Sequence, residues 1–195
     1  MKSFISEDDI EQAICNRLSL PEYGWKRIEC DARVEAQDDV STTGRANPSE
    51  CILPDVFLAA LKRLNPQVEE GVLQGILRNF RKDYTATDMV ETNYKLYNQL
   101  RNGIKKPVRK NGKEDFDIVR LIDFDHPERN DFHCVNQMWI KGHYRYRRPD
   151  VLLFVNGLPV VFIELKNSTV KVEESYNKNL TSYRKDIPNI FSFNQ

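Results

Sequence analysis

Residues 148–166 read RPDVLLFVNGLPVVFIELK and contain two short apolar runs, Val151–Val155 and Val160–Leu165. Both runs have the length of a strand and are rich in β-branched residues, and the Asn156-Gly157 dipeptide between them is typical of a hairpin turn. Because neither run alternates with polar residues, we expect both faces of these strands to be covered. The stretch therefore predicts a β-hairpin within a sheet that is flanked by helices.

Three charged residues stand at the ends of these apolar runs. Asp150 precedes the first run, while Glu164 and Lys166 end the second and share a face of its strand because they are two residues apart. A regular ladder around a two-residue turn would place Asp150 opposite Ile163. One extra residue, either in a three-residue loop at 156–158 or as a bulge, would place it opposite Glu164. We predict the arrangement with the extra residue, which puts both carboxylates on one face.

Two neighbouring carboxylates repel each other, and removing them from water is costly unless something neutralises them. Mg²⁺ suits such a pair, because it takes oxygen ligands from one or two carboxylates, from water and from a substrate phosphate. A bound metal lowers the pKa of its water, and a lysine such as Lys166 can orient that water and stabilise the charge that develops on phosphorus. Asp150, Glu164 and Lys166 together predict a metal site for phosphodiester cleavage.

The hairpin resembles the PD-(D/E)xK nuclease core, with Asp150, Glu164 and Lys166 at its three signature positions. Its surroundings resemble, more specifically, the N-terminal nuclease domain of the restriction (motor) subunit of type I restriction–modification enzymes. The motifs that carry this resemblance cover most of the chain: Glu11 in a first helix, Gly24-Trp25, Leu53–Asn65, Asn136-Gln137, Arg148–Asp150, Asn156–Pro159, Ile163–Asn167 and Tyr183–Gln195.

The resemblance implies an α/β (mixed α+β) fold with a restriction-endonuclease-like core, in which helices flank a central mixed β-sheet. It implies one nuclease domain over residues 1–195 that performs Mg²⁺-dependent endonucleolytic cleavage of double-stranded DNA, as a type I site-specific deoxyribonuclease in defence against foreign DNA. Partner specificity and modification (methyltransferase) subunits would read and methylate the target. ATP would act only through motor domains that follow in the family. We therefore expect a fragment, without the later strands and the motor, that is weak or inactive alone.

Site residues carry over from the family by position. Asp150 and Glu164 would hold the metal together with the backbone carbonyl of Leu165, and Lys166 would assist the water. Glu11, on the first helix, is a candidate auxiliary ligand.

A Gln-x-x-x-Tyr motif follows the hairpin in the family, and its positions here are Asn179 and Tyr183. Tyr183 fits the motif, whereas Asn179 is one methylene shorter than the family glutamine. The two residues would share one face of a helix at 171–185.

The rest of the chain is predicted to be helical first and strand-rich later. Ser6 is a predicted N-cap for a helix whose apolar stripe is Ile10, Ala13, Ile14 and Leu18, with Glu11 at its border. Residues 31–50 are polar and are read as a loop or mobile excursion. Further helices are expected from Pro54, at Val68–Arg81 and at Thr87–Asn102, and strands at Ile104–Arg109, Phe116–Asp123 and Phe132–Ile140.

Composition limits where nucleic acid can bind. The chain has 29 Lys and Arg against 29 Asp and Glu, so its net charge is zero and any DNA contact must be local or shared with other subunits. The basic run that enters the first apolar strand offers Arg145, Arg147 and Arg148 as candidate contacts to the DNA backbone. With four scattered cysteines and neither a signal peptide nor an apolar run that could cross a membrane, we expect a cytoplasmic protein with reduced thiols.

Two other functions remain compatible with these residues. The same core occurs in other PD-(D/E)xK nucleases that act in DNA repair or recombination. A non-catalytic module for DNA binding or assembly could also retain the fold, but the intact set of Asp150, Glu164 and Lys166 counts against it.

Overall fold

A computed structural model describes residues 5–82, 88–110, 113–166 and 180–193. The helices are α1 (Glu7–Leu18), α2 (Pro54–Leu64), α3 (Glu70–Phe80), α4 (Met89–Asn102) and α5 (Thr181–Asp186). The strands are β1 (Lys26–Glu29), β2 (Ile104–Lys110), β3 (Lys113–Val119), β4 (Phe132–Asn136), β5 (Ile140–Lys141), β6 (Tyr146–Arg147), β7 (Val151–Val155) and β8 (Leu158–Ile163). Within the described ranges, no helix is long and apolar enough to cross a membrane.

The central sheet has the strand order β1-β4-β7-β8. Strands β1 and β4 are parallel, whereas β4 with β7 and β7 with β8 are antiparallel, so the predicted mixed sheet is confirmed. Two further hairpins, β2–β3 and β5–β6, lie outside this sheet. The predicted strand at Phe132–Ile140 is in fact two strands, β4 and β5, and the short β1 was not predicted.

The turn between β7 and β8 has two residues. Val155 pairs with Leu158, and Asn156 and Gly157 take φ angles of 50° and 79°. Positive φ at both positions matches the turn that fits the twist of antiparallel strands, and asparagine and glycine tolerate it best. Of the two predicted ways to add a residue, the three-residue loop is therefore not the one that the chain uses.

A β-bulge supplies the extra residue instead. Leu153 pairs with Val161 and Phe154 with Pro159, so Val160 is the inserted residue. Beyond the bulge Val151 pairs with Ile163, and one further step along the ladder brings Asp150 opposite Glu164. The predicted co-facial arrangement of the two carboxylates is thus reached through the bulge.

Both faces of the sheet are covered, as predicted for strands without polar alternation. On one face the strands pack against α5, against the residues that follow α5 and against the residues that precede α2. This cluster includes Leu53, Val135, Leu152, Phe154, Tyr183, Ile187 and Ile190. On the other face they pack against α1; this cluster includes Cys15, Leu18, Cys134, Val151, Leu153 and Ile163. A third cluster joins α2, α3 and α4 to β3 and to the hairpin turn at Leu158.

Helix α1 begins as predicted, but its buried face is shifted. Ser6 caps it, in a reciprocal pair of hydrogen bonds with Asp9. The most buried residues are Glu11 and Cys15. Of the predicted stripe, Leu18 packs against the sheet, Ile10 and Ile14 are half-buried and Ala13 is exposed, so the buried face is centred to one side of the stripe. On this face the carboxylate of Glu11 accepts hydrogen bonds from Asn136, at the end of β4, and from Gln137, so a polar contact accompanies the apolar packing of Cys15 and Leu18.

Residues 31–50 form a loop, as predicted, but the loop is packed. Arg45 is only 4% exposed, and its guanidinium donates to Thr43 Oγ1 (2.8 Å) and to the Glu50 carbonyl (3.1 Å). The carboxylate of Glu50 lies 2.6 Å from Arg81 Nε, just beyond α3. These charged contacts, which composition does not reveal, hold the segment against the core.

Candidate functional site

Asp150 and Glu164 lie at the same end of the β7–β8 hairpin. Asp150 Oδ2 accepts a hydrogen bond from the Leu165 backbone N–H at 2.5 Å. Burial raises the pKa of Asp150 above its usual value, although the Leu165 hydrogen bond and the charge of Lys166 oppose the rise. The carboxyl group is therefore held in a place that disfavours its charge unless a cation is near.

Glu164 makes the closest ion pair of the site. Lys166 Nζ lies 2.9 Å from Glu164 Oε1, and the two side chains are 26% and 15% exposed. Burial raises the pKa of Glu164, the hydrogen bond from Lys166 lowers it, and the charge of Asp150 raises it further. The net direction is upward for both carboxyl groups, as expected of two acids that share one site.

Lys166 contacts acids from two parts of the chain. Besides Glu164, its Nζ lies 3.9 Å from Glu7 Oε2 in the first turn of α1. Burial alone would lower the pKa of Lys166, but the carboxylates of Glu164, Glu7 and Asp150 outweigh it and raise the pKa. Lys166 is therefore a positive charge at neutral pH.

Tyr183 reaches the site from α5. Its hydroxyl donates to the Arg148 carbonyl at 3.2 Å, and it also forms a hydrogen bond with Glu164. Burial and the charge of Glu164 raise the pKa of Tyr183, so the hydroxyl keeps its proton. The structure thus brings Tyr183 to the carboxylate pair, whereas Asn179 lies outside the described residues.

Glu11 is buried, with 3% exposure, at the α1 side of the same sheet end. Its Oε1 accepts from Asn136 Nδ2 at 2.8 Å, and its Oε2 accepts from Gln137 Nε2. Gln137 has a φ of 59°, and its backbone N–H donates to the Asp150 carbonyl at 3.0 Å. Glu11 therefore contacts Asp150 indirectly, through Gln137, and both of its oxygens have amide donors.

The three arginines before β7 differ in their surroundings. Arg147 pairs with Asp186 of α5 at 2.5 Å and lies over the ring of Tyr183. Arg148 donates to the Ala32 carbonyl at 3.0 Å and lies over the ring of Trp139. Arg145, in contrast, is exposed.

The donor atoms at the sheet end fit a hard divalent cation. In the described part of the chain, no group of three or more His, Cys, Asp and Glu side chains is arranged to hold a metal. A Mg²⁺ site does not need three such side chains, because this ion keeps several waters and binds through one or two carboxylates. Asp150 and Glu164 supply two carboxylates with raised pKa values, and Leu165, between Glu164 and Lys166, could add its carbonyl.

Sequence reasoning missed several supporting contacts. No role was assigned to Gln137, and a left-handed backbone at a glutamine leaves no mark on composition or periodicity. The pairing of Arg147 with Asp186 was also missed, because it joins residues from different elements. No role at the site was assigned to Glu7, which faces Lys166 from the first turn of α1.

Comparison with known proteins gives a consistent result. Residues 4–195 match the family model described as type I restriction enzyme R protein N terminus. The chain is 32% identical, over 98% of its length, to the type I restriction enzyme HindI endonuclease subunit of Haemophilus influenzae. It is 31% identical, over 77% of its length, to the putative type I restriction enzyme MjaIXP endonuclease subunit of Methanocaldococcus jannaschii. The chain spans 18% and 15% of the lengths of these two relatives.

Proposed function

The chain belongs to the family of type I restriction enzyme R protein N termini, and from this premise we propose that it is a nuclease domain that hydrolyses phosphodiester bonds of double-stranded DNA with Mg²⁺. One observation carries the proposal: the β7–β8 bulge brings Asp150 opposite Glu164, with Lys166 Nζ 2.9 Å from Glu164. The names of the relatives, endonuclease subunits of type I restriction enzymes, support the same reaction class.

Each site residue has a distinct part in this proposal. Asp150, Glu164 and the backbone carbonyl of Leu165 would hold the metal. The bound metal would supply a water of lowered pKa and positive charge beside the phosphate. Lys166 would orient that water and stabilise the charge that develops on the phosphate oxygens.

Tyr183 acts as a positioning residue in this proposal. Its protonated hydroxyl contacts both Glu164 and the Arg148 carbonyl, and so it fixes the end of β8 relative to the start of β7. Its ring packs edge-on against Phe162, with 5.1 Å between the ring centroids, and this contact holds the hydroxyl beside Glu164.

The rest of the enzyme would supply what the described residues do not. We propose that specificity and modification subunits choose the DNA target, and that ATP acts through motor domains that follow this region in the longer protein. The small share of each relative that the chain spans fits a domain that works within a larger subunit.

Cleavage tests the proposal directly. We expect the wild-type protein to nick supercoiled plasmid DNA in the presence of Mg²⁺ or Mn²⁺. Lys166→Ala and Asp150→Asn should each lower the nicking rate by roughly 100-fold or more, because each removes charge stabilisation from the reacting phosphate. Lys95→Ala, at an exposed position of α4, is the matched control and should leave the rate unchanged.

Metal binding can be measured without cleavage. A ligand that binds only the folded state raises the free energy of unfolding, so Mg²⁺ or Mn²⁺ should raise the Tm of the wild-type protein. Asp150→Asn should abolish this rise, and Lys95→Ala should retain it. If the wild-type protein and all variants nick DNA alike, and the metals change no Tm, the nuclease proposal is wrong.

A further inference from the structure

The β5–β6 hairpin forms a basic projection beside the site. Lys141 pairs with Tyr146, and the turn is closed by a hydrogen bond from the Gly142 N–H to the Arg145 carbonyl at 2.8 Å. From Trp139 to Pro149 the sequence contains four Lys and Arg residues and no acidic one: Lys141, Arg145, Arg147 and Arg148. The local charge is thus strongly positive in a chain whose net charge is zero.

Contacts divide these four cations into two groups. Arg147 and Arg148 face inward, to Asp186 and to the Ala32 carbonyl, and hold the hairpin to its neighbours. Lys141 and Arg145 are exposed, and within the described ranges no carboxylate forms an ion pair with either of them.

The nearby acids are already engaged. Asp38 accepts a hydrogen bond from the Tyr146 hydroxyl, and Asp186 pairs with Arg147. Lys141 Nζ lies 5.5 Å from the centroid of the Tyr146 ring, and Arg145 is exposed, so in the described part of the chain no acid neutralises the positive charge of these two residues and it can attract an anion from solvent.

An exposed aromatic ring accompanies this charge. Tyr144 is 90% exposed at the turn, and its ring meets that of His143 edge-on at 5.3 Å. Aromatic side chains interleaved with basic ones suit a nucleic acid, because cations contact phosphates while a ring can pack on sugars and bases.

The base of the hairpin is fixed to the rest of the fold. The Lys141 N–H donates to the Pro48 carbonyl at 2.9 Å. Gly142 packs so closely on the end of α5 that a Cβ there would lie 1.7 Å from the Asp186 carbonyl oxygen. Because the chain then runs directly from Arg148 and Pro149 to Asp150, the tip has a set position relative to the carboxylate pair.

We propose that the tip of this hairpin, formed by Lys141, His143, Tyr144 and Arg145, binds the phosphodiester backbone of duplex DNA next to the cleavage site. The inference rests on the proposed nuclease function and names the surface that holds its substrate. Of the three arginines before β7, Arg145 contacts DNA, while Arg147 and Arg148 position the hairpin. Since phosphates and not base edges are bound, the contact is independent of DNA sequence.

Salt-dependent binding tests this assignment. Fluorescence anisotropy would follow the wild-type protein, the double variant Lys141→Ala/Arg145→Ala, and Tyr144→Ala on a short labelled duplex, in EDTA so that no cleavage occurs. The plot of log K against log salt concentration has a negative slope, and each lost phosphate contact reduces the magnitude of this slope by roughly 0.9. The magnitude should therefore fall by roughly 2 in the double variant, which loses two contacts. Its affinity at low salt should fall about 10-fold or more.

The matched control removes the same charge elsewhere. Arg78→Ala/Lys95→Ala changes two exposed residues of α3 and α4 and should keep the wild-type slope. The inference is overturned if the control loses as much slope as the hairpin variant, if the hairpin variant binds like wild type, or if the wild-type protein binds no duplex. The inference is also overturned if the hairpin variant loses affinity for single-stranded DNA and not for the duplex.

Cleavage variants separate this inference from the nuclease proposal. Lys166→Ala should fail to nick plasmid and should keep the dependence of its duplex binding on Lys141 and Arg145, so that adding Lys141→Ala/Arg145→Ala lowers its salt slope by as much as in the wild-type protein. If Lys166 is required for nicking but the hairpin double variant binds normally, only the hairpin assignment fails. If the hairpin variant loses DNA binding but no form of the protein nicks DNA, the hairpin assignment stands and the nuclease proposal fails.

Discussion

Single side chains at the end of the sheet connect elements that are far apart in sequence. Glu11 is the clearest case, because its carboxylate takes hydrogen bonds from both Asn136 and Gln137. A hydrogen bond to a buried carboxylate contributes more to the stability of the fold than a hydrogen bond to a neutral acceptor. A buried amide donor that loses its acceptor destabilises the fold. The contact explains how α1 can bury a glutamate beside the apolar residues Cys15 and Leu18.

Glu11→Gln should weaken the fold. Glutamine has one oxygen to offer, so its NH₂ group would face one of the two amide donors. We expect the free energy of unfolding to fall by about 1–3 kcal/mol in urea titrations. Glu22→Gln, at an exposed position, is the control and should change it little.

The same variant separates the two roles considered for Glu11. If Glu11→Gln unfolds like the wild type but no longer gains stability from Mg²⁺, Glu11 is an auxiliary metal ligand and not a structural acceptor. If stability falls while the Mg²⁺ effect on Tm persists, the structural role is supported.

Residue-level prediction found the common location of Asp150, Glu164 and Lys166, because that signal is local, while their metal-binding and catalytic roles stay predictions. Asp150, Glu164 and Lys166 stand beside apolar strands, and strand periodicity places them on a common end. The positive φ of Gln137 has no local signal. The hydrogen bonds of Glu11 with Asn136 and Gln137 could not be predicted either, because these partners lie more than a hundred residues away along the chain.

At the level of elements, the β7–β8 hairpin positions the two carboxylates of the site, and the start of α2 packs against the turn of this hairpin. The Leu53 N–H donates to the Gly157 carbonyl at 2.8 Å, immediately before α2 begins. A Cβ at Gly157 would lie 2.5 Å from the Leu53 carbonyl oxygen and 2.8 Å from the Phe57 nitrogen. The turn therefore needs glycine for close packing as well as for its φ of 79°.

Gly157→Ala should destabilise the protein by at least about 1–3 kcal/mol, because it adds backbone strain to the steric conflict. Gly75→Ala in α3 is the matched control. There the nearest atom to an added Cβ is the end of the Arg78 side chain at 3.7 Å, and a glycine inside a helix costs about 0.5–1 kcal/mol relative to alanine. Urea unfolding of both variants should show opposite signs, and a shared sign would contradict this account of the turn.

Elements differed in how far the sequence revealed them. The hairpin and helices α2 to α4 follow from apolar periodicity and from Pro and Gly signals, whereas the mixed sheet was expected from the family resemblance. Strand β1 was missed because its four residues, Lys-Arg-Ile-Glu, lack an apolar run and pair in parallel with the distant β4. The bulge was one of two options, because turn chemistry and strand register together allow either.

On the scale of the whole molecule, the site lies where α1, the sheet and α5 meet. Glu7 comes from α1, the carboxylate pair from the hairpin, and Tyr183 from α5. Away from this end, Asp131 joins β1 and α2 to the start of β4 through ion pairs with Lys26 (3.2 Å) and Arg63 (2.8 Å). Such contacts make stability depend on charge.

Burial alone would raise the pKa of Asp131, but its bonds with Arg63 and Lys26 outweigh this effect and lower the pKa. A lowered pKa means that the ion pairs stabilise the fold above the unfolded pKa, about 3.9, and that this stabilisation is lost as the pH falls through the folded pKa. Asp131→Asn should therefore cost about 1 kcal/mol at pH 7. In urea titrations this difference should shrink at pH values below about 3.9, whereas a difference that stays constant with pH would contradict the assignment.

The bulge at Val160 also bears on how the chain length of this hairpin can change during evolution. Without the bulge, a regular ladder around the same turn would set Asp150 opposite residue 163. A relative with one residue fewer between its aspartate and its glutamate therefore keeps the two carboxylates opposite each other only if its strand has no bulge. We therefore expect the extra residue in this strand and the bulge to be gained or lost together. The interval between the aspartate and the glutamate can then vary among relatives by one residue while the geometry of the pair is preserved.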